Sequence, residues 1–97
     1  MQDIETFQKE LDMLVKKGIR YTIPEHFDGM SLSLQVDIGG IDVTEDKITI
    51  HAHVLADLPD GDMKEAIREG VREQVRFLML EDYPFLNPES TVVEVHI

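Results

Sequence analysis

The sequence predicts an α+β fold, a two-layer α/β sandwich with the element order helix–strand–strand–helix–strand. Two segments repeat apolar residues at helical spacing, and three segments alternate apolar and polar residues as half-buried strands do. Because each strand has one apolar face, two amphipathic helices suffice to cover one side of a three-stranded mixed sheet. We therefore expect both helices on one face and an open face on the other side.

The first predicted helix covers residues 3–17. Its apolar stripe recurs at spacings of three and four and consists of Ile4, Phe7, Leu11 and Leu14. Asp3 is placed to cap the start of this helix, and Gly18 can adopt the left-handed conformation that often follows a helix. Residues 18–31 contain a proline and a glycine, and we expect a connector with a short extended piece at residues 19–23.

The next two segments predict a β-hairpin. From Ser31 onwards apolar residues alternate with polar ones as far as Ile38. After Gly39-Gly40 the alternation resumes one residue out of phase, which a glycine bulge would correct. Residues 47–55 form the second strand, and the turn before it is short. The two strands are therefore expected to pair antiparallel.

The second helix is predicted from residue 63 to residue 80 or 81, after a break at residues 58–61. Asp62 precedes Glu65 by three residues, which indicates a helix start resembling a capping box. The expected buried stripe consists of Met63, Ile67, Val71, Val75 and Leu78. Residues 91–97 form the last strand. The second strand, this helix and the last strand should make a right-handed crossover.

Composition restricts the class of protein. The chain has 97 residues, 42% of them hydrophobic, which predicts one domain spanning residues 1–97 with a real core. It contains no cysteine, which excludes disulfides, thiol catalysis and thiolate metal sites. Residues 1–7 do not resemble a secretory signal, and no apolar run is long enough to span a membrane. We therefore expect a cytoplasmic protein.

The net charge of −11 bears on the choice of partner. Binding to a phosphate backbone depends on neutralisation by lysine and arginine, so nucleic acid is an unlikely partner. Three arginines form a stripe on the second helix at steps of four, and each follows a glutamate by three residues: Arg68, Arg72 and Arg76. Salt bridges along an exposed helix face account for such a stripe, and an acidic partner or a small anion is the alternative.

The predicted open face concentrates the histidines. Its residues are Ser33, Gln35, Asp37, Thr49, His51, His53, Val92, Glu94 and His96. His51 and His53 stand two apart on one strand and so project on the same side, roughly 6.5–7 Å apart along it. Two such imidazoles can converge on a divalent transition metal such as zinc. Glu94 or His96 could supply a further ligand, and Asp37 or Glu94 an outer acceptor for an imidazole N–H.

Whether these groups meet depends on the order of the strands. If the last strand lies beside the second, His96 and Glu94 neighbour the histidine pair. If it lies beside the first, His96 lies nearer Asp37 and the cluster divides. Histidines of this kind are also common on solvated or interface surfaces, and histidine can make a surface responsive to pH.

The predicted topology resembles that of a known metal-binding domain. The element order, the histidines of the second strand and the ending Val-Glu-Val-His-Ile resemble the cytoplasmic domain of cation diffusion facilitators. The resemblance implies a dimer that binds divalent metal through histidine and acidic residues. The Gly39-Gly40 bulge and the loop at residues 82–90 have no counterpart in it, and the chain lacks the membrane part of that family.

Three classes of function follow from these observations. The first is a small interaction or assembly module, with a protein partner or a homodimer that uses the open face or an edge strand. The second is a metal-binding or metal-sensing domain with His51, His53, Glu94 and His96 as candidate ligands. The third is a small enzyme with a histidine acid or base. No glycine-rich phosphate loop, nucleophile elbow or zinc protease motif supports catalysis, so we favour a non-enzymatic function.

Overall fold

The computed structural model describes residues 3–27, 29–58 and 61–97, and of Phe27 only the backbone. The described residues form two helices and four strands, which confirms the α+β class. They are α1 (Ile4–Lys17), β1 (Arg20–Phe27), β2 (Met30–Val43), β3 (Ile48–Val54), α2 (Asp62–Asp82) and β4 (Thr91–His96).

The sheet is mixed and its strands lie in the order β1-β2-β3-β4. The first three strands pair antiparallel, and β3 and β4 pair parallel. The prediction of three strands is therefore wrong, because the segment interpreted as a connector forms β1. Pro24 interrupts the strand pattern of this segment, and the sequence therefore predicted a connector there.

Strand β1 tolerates Pro24 because it lies at the edge of the sheet. Among the described strands, β1 pairs with β2 alone, and Pro24 stands opposite Ser33. A proline lacks the N–H that a second neighbouring strand would need, so prolines are confined to positions of this kind. Ile23 is fully buried, and the Tyr21 hydroxyl donates a 2.8 Å hydrogen bond to Asp82 at the end of α2. Burial, and then this bond, raises the pKa of Tyr21.

The predicted hairpin and its bulge are confirmed. Ile38 pairs with Ala52 and Gly40 pairs with His51, so Gly39 is the extra residue on β2. The bulge restores the phase of the strand, since Ile38 and Ile41 are both buried although they are three residues apart.

The helices largely follow their predicted patterns, but Ile4 of the predicted α1 stripe is exposed, and α2 differs in two respects. Asp3 caps α1 through a 3.2 Å bond from the Glu5 amide, as predicted. The predicted cap of α2 is wrong, because Gly61 occupies the N-cap position and makes no side-chain bond there, while Asp62 is already helical. Pro59 and Asp60, in the predicted break, lie outside the described residues. The buried residues of α2 are Ile67, Val71, Val75 and Met79, whereas Met63 and Leu78 of the predicted stripe are partly buried against the core.

One hydrophobic cluster includes buried residues of both helices and of all four strands. α1 packs against β2, and α2 packs against β4 and β1. That both helices cover a single face stays a prediction. Among the described residues, neither helix is long and apolar enough to cross a membrane.

The contribution of β1 to the core can be tested at Ile23. We expect Ile23→Ala to lower the free energy of unfolding by about 2–5 kcal/mol, because it leaves a cavity among buried side chains. Ser33→Ala, at an exposed position of β2, should change it by no more than about 0.5 kcal/mol. Urea denaturation followed by circular dichroism measures both. An Ile23→Ala effect as small as that of the control would contradict the packing of β1.

Candidate metal site

The candidate site lies where β3 and β4 run side by side. Their parallel pairing sets His51 opposite Glu94 and His53 opposite His96. The sequence left two strand orders open, and the structure has the one that brings these four residues together. Alternation explains the placement, because Ile50, Ala52, Val93 and Val95 fill the core while the residues between them project from the other face.

His51 lies between Asp42 and His96, within hydrogen-bonding distance of both. Its Nε2 lies 2.9 Å from a carboxylate oxygen of Asp42, and its Nδ1 lies 3.1 Å from Nε2 of His96. A carboxylate only accepts hydrogen bonds, so Nε2 of His51 carries the proton. In the neutral ring, Nδ1 of His51 therefore has a free electron pair, and it points at His96.

Glu94 completes a group of three potential ligands. One ligand atom from each of His51, Glu94 and His96 lies within 4.8 Å of the other two, so this cluster could hold a metal ion. Glu94 is exposed, and the two histidines are half-buried. The group therefore opens to solvent on one side.

His53 lies beside this group. Its ring stacks on that of His96, with centroids 4.7 Å apart and planes at 18°, and the rings of His51 and His96 are 5.4 Å apart. The predicted His-x-His pair therefore shares a face, with the His96 ring in contact with both. That His53 is itself a ligand stays a prediction.

The glycine bulge makes room for the His53 ring. A Cβ atom at Gly39 would lie 2.5 Å from Cδ2 and 2.6 Å from Nε2 of His53. A side chain at this position would thus displace the imidazole that stacks on His96. The bulge therefore affects the face that carries the histidines as well as the phase of β2.

The outer acceptor is Asp42 rather than the predicted Asp37 or Glu94. Asp37 is bound by the Arg20 guanidinium, which donates bonds of 2.5 and 3.1 Å to its two oxygens. The hydrogen bond from Arg20 lowers the pKa of Asp37, and the charge of nearby His53 acts in the same direction. Sequence reasoning missed Asp42, although counting outward positions beyond the Gly39-Gly40 bulge would have placed it on the histidine face.

We compared the chain with known protein families, with curated proteins and with solved structures, and none of these matched it. The topological resemblance to the cytoplasmic domain of cation diffusion facilitators also weakens, because β1 adds a strand to the element order that carried it. Any functional conclusion therefore depends on the geometry of the chain itself.

The Arg20–Asp37 pair gives a prediction for titration. We expect Arg20→Gln to raise the pKa of Asp37 toward its ordinary value, because it removes the hydrogen bond and the positive charge that favour the carboxylate. A depressed native pKa stabilises the fold above the pKa of the unfolded chain, and this contribution is lost as pH falls through the native value. The destabilisation by Arg20→Gln should therefore shrink in acid.

Carboxyl carbon NMR across an acid titration measures the pKa of Asp37 directly. Arg68→Gln is the matched control, since Arg68 pairs with Glu65 on α2 and leaves Asp37 untouched. An unchanged pKa of Asp37 in Arg20→Gln would show that the pair does not form in solution.

Proposed function

We propose that this chain binds a divalent transition metal, zinc in the first place, through His51, His96 and Glu94. The observation that supports the proposal is their proximity on one face, with the remaining nitrogen of His51 already bonded to Asp42. Imidazole nitrogen and carboxylate oxygen are both ordinary zinc ligands, and zinc sites with two histidines and one glutamate occur in enzymes.

The spacing of the two ring nitrogens supports chelation. Two nitrogens bound to a tetrahedral zinc at about 2.0–2.1 Å are themselves separated by about 3.3 Å. Nδ1 of His51 and Nε2 of His96 are 3.1 Å apart, so a small ring rotation admits the ion. Without metal, His96 donates its Nε2–H to His51, and a neutral His96 that binds metal through Nε2 would carry its proton on Nδ1 instead.

Asp42 acts on the site through His51. A histidine that binds metal usually donates its other N–H to a carboxylate, a carbonyl or water, which fixes the ring and makes it a stronger ligand. Asp42 is in this position at 2.9 Å from Nε2 of His51. The site therefore has an outer partner as well as candidate ligands.

Three protein ligands leave a tetrahedral ion with one position for water or another exchangeable group. The His51 side chain is 26% exposed, and Glu94 lies on the surface. We therefore propose an accessible site, which suits reversible binding or sensing of the metal better than a closed structural role.

Zinc titration of the whole chain tests the proposal. We expect the ring nitrogen signals of His51 and His96 to shift at micromolar zinc, with a change of tautomer at His96. His96→Ala and Glu94→Gln should each weaken binding, His96→Ala by more than about 100-fold because a ligand itself is lost. Calorimetry and nitrogen NMR give the two readouts.

His26→Ala is the matched histidine control. His26 lies on β1, where Ser31 is its hydrogen-bonding neighbour at 3.1 Å, and its loss should leave zinc affinity unchanged. The absence of any shift at His51 and His96, or an equal loss in the control, would contradict the proposed site.

Asp42 is tested separately. We expect Asp42→Asn to weaken zinc binding by about 10–100-fold, because a neutral amide oxygen accepts the hydrogen bond from Nε2 of His51 less strongly than a carboxylate does. Asp37→Asn is the comparison, since Asp37 lies on the same strand but pairs with Arg20. Equal affinities in the two variants would show that Asp42 does not support the site.

The other functions expected from the sequence stay predictions. A histidine enzyme would need a cavity that holds both a histidine and an acid. Two cavities, of about 410 and 320 Å³, are lined by residues of which none is a histidine.

A further inference from the structure

Strand β4 ends the sheet with backbone groups that point outward. The Ile48 amide donates to the carbonyl of Ser90, and this bond fixes the register with β3. In a parallel pair with this register, Val92, Glu94 and His96 direct their N–H and C=O groups toward β3. Thr91, Val93 and Val95 therefore direct theirs toward the edge, where the described residues provide no further strand.

The two edges of the sheet differ in how they are protected. On β1, Pro24 has no N–H to offer, and the Gln74 side chain donates to its carbonyl at 3.2 Å. On β4, Arg76 donates to the Thr91 carbonyl, but Val93 and Val95 beyond it lie in a run without lysine, proline or bulge. Such an edge is a template for pairing with another strand.

A groove of about 320 Å³ runs beside this edge. It is lined by Arg72, Glu73 and Arg76 of α2 and by Thr91, Val92 and Val93 of β4. Arg76 departs from the pattern of the other two arginines, because it bonds to the carbonyls of Thr91 and Pro88 instead of a glutamate. It thus fixes the wall of the groove at the start of β4.

We propose that a second copy of the chain occupies this groove, with two β4 strands pairing antiparallel about a two-fold axis. In a two-fold symmetric interface the same surface of each subunit faces the other. Two residues that attract each other across the interface must therefore both lie on that one surface. Arg72 and Glu73 are adjacent on the same wall and carry opposite charges. Arg72 can therefore face Glu73 of the partner subunit across the axis, and Glu73 can face Arg72 of the partner subunit.

The charges on β4 disfavour one register of the two strands. An axis at Glu94 would set two carboxylates directly opposite each other, which is unfavourable between neighbouring strands. An axis at Val93 sets Val92 opposite Glu94 of the partner subunit instead. It also covers Val92, which is 43% exposed. The proposed dimer does not depend on metal binding.

Light scattering after size exclusion tests the assembly with the full chain. We expect twice the mass of the 11.1 kDa monomer, and loss of the dimer in Arg72→Glu and in Glu73→Arg, since each places like charges across the axis. The double variant Arg72→Glu/Glu73→Arg should restore the dimer. Arg68→Glu is the control, because Arg68 makes the same kind of pair with Glu65 as Arg72 makes with Glu69, outside the groove.

Amide exchange locates the interface independently of any variant. The amides of Val93 and Val95 should gain protection as protein concentration rises, whereas those of Val92 and Glu94, which pair with β3, should not change. A wild-type monomer at high micromolar concentration would overturn the proposal. So would a dimer that survives both single charge reversals, or one in which the Val93 and Val95 amides exchange as fast as in the monomer.

Discussion

The parallel pairing of β3 with β4 is the constraint on which the rest of the structure depends. Parallel neighbours require a crossover connection, and α2 provides it while burying Ile67, Val71 and Val75. The same pairing brings His51 next to Glu94 and His53 next to His96. It also leaves β4 with one neighbour among the described strands, so β4 contributes both to the candidate metal site and to the proposed dimer edge.

The two sides of β2 and β3 are coupled by the glycine bulge. The extra residue at Gly39 lets Ile38 and Ile41 both reach the core. Because glycine has no side chain, the His53 ring can lie over it and stack on His96. A feature that corrects the packing phase on one face thus positions imidazole rings on the other.

Much of this arrangement follows from local pattern. Helical spacing placed α1 and α2, and strict alternation placed the residues of β3 and β4 on the correct faces, because each element must bury one apolar side. Strand β1 was missed because Pro24 is incompatible with an interior strand, and sequence alone does not show that this strand lies at an edge. The last buried residue of α2 is Met79 and not Leu78, because the way α2 packs on the sheet decides which of two neighbouring apolar side chains is fully covered.

The sequence by itself determined the α+β class, the bulge at Gly39-Gly40 and the common face of His51, His53, Glu94 and His96. Only the tertiary structure decided that β4 lies beside β3, that His96 reaches His51, and that Asp42 rather than Asp37 bonds to His51. The physical reason is that alternation specifies which way a side chain projects, whereas its neighbours across strands depend on long-range register. That register is set by the packing of the whole core.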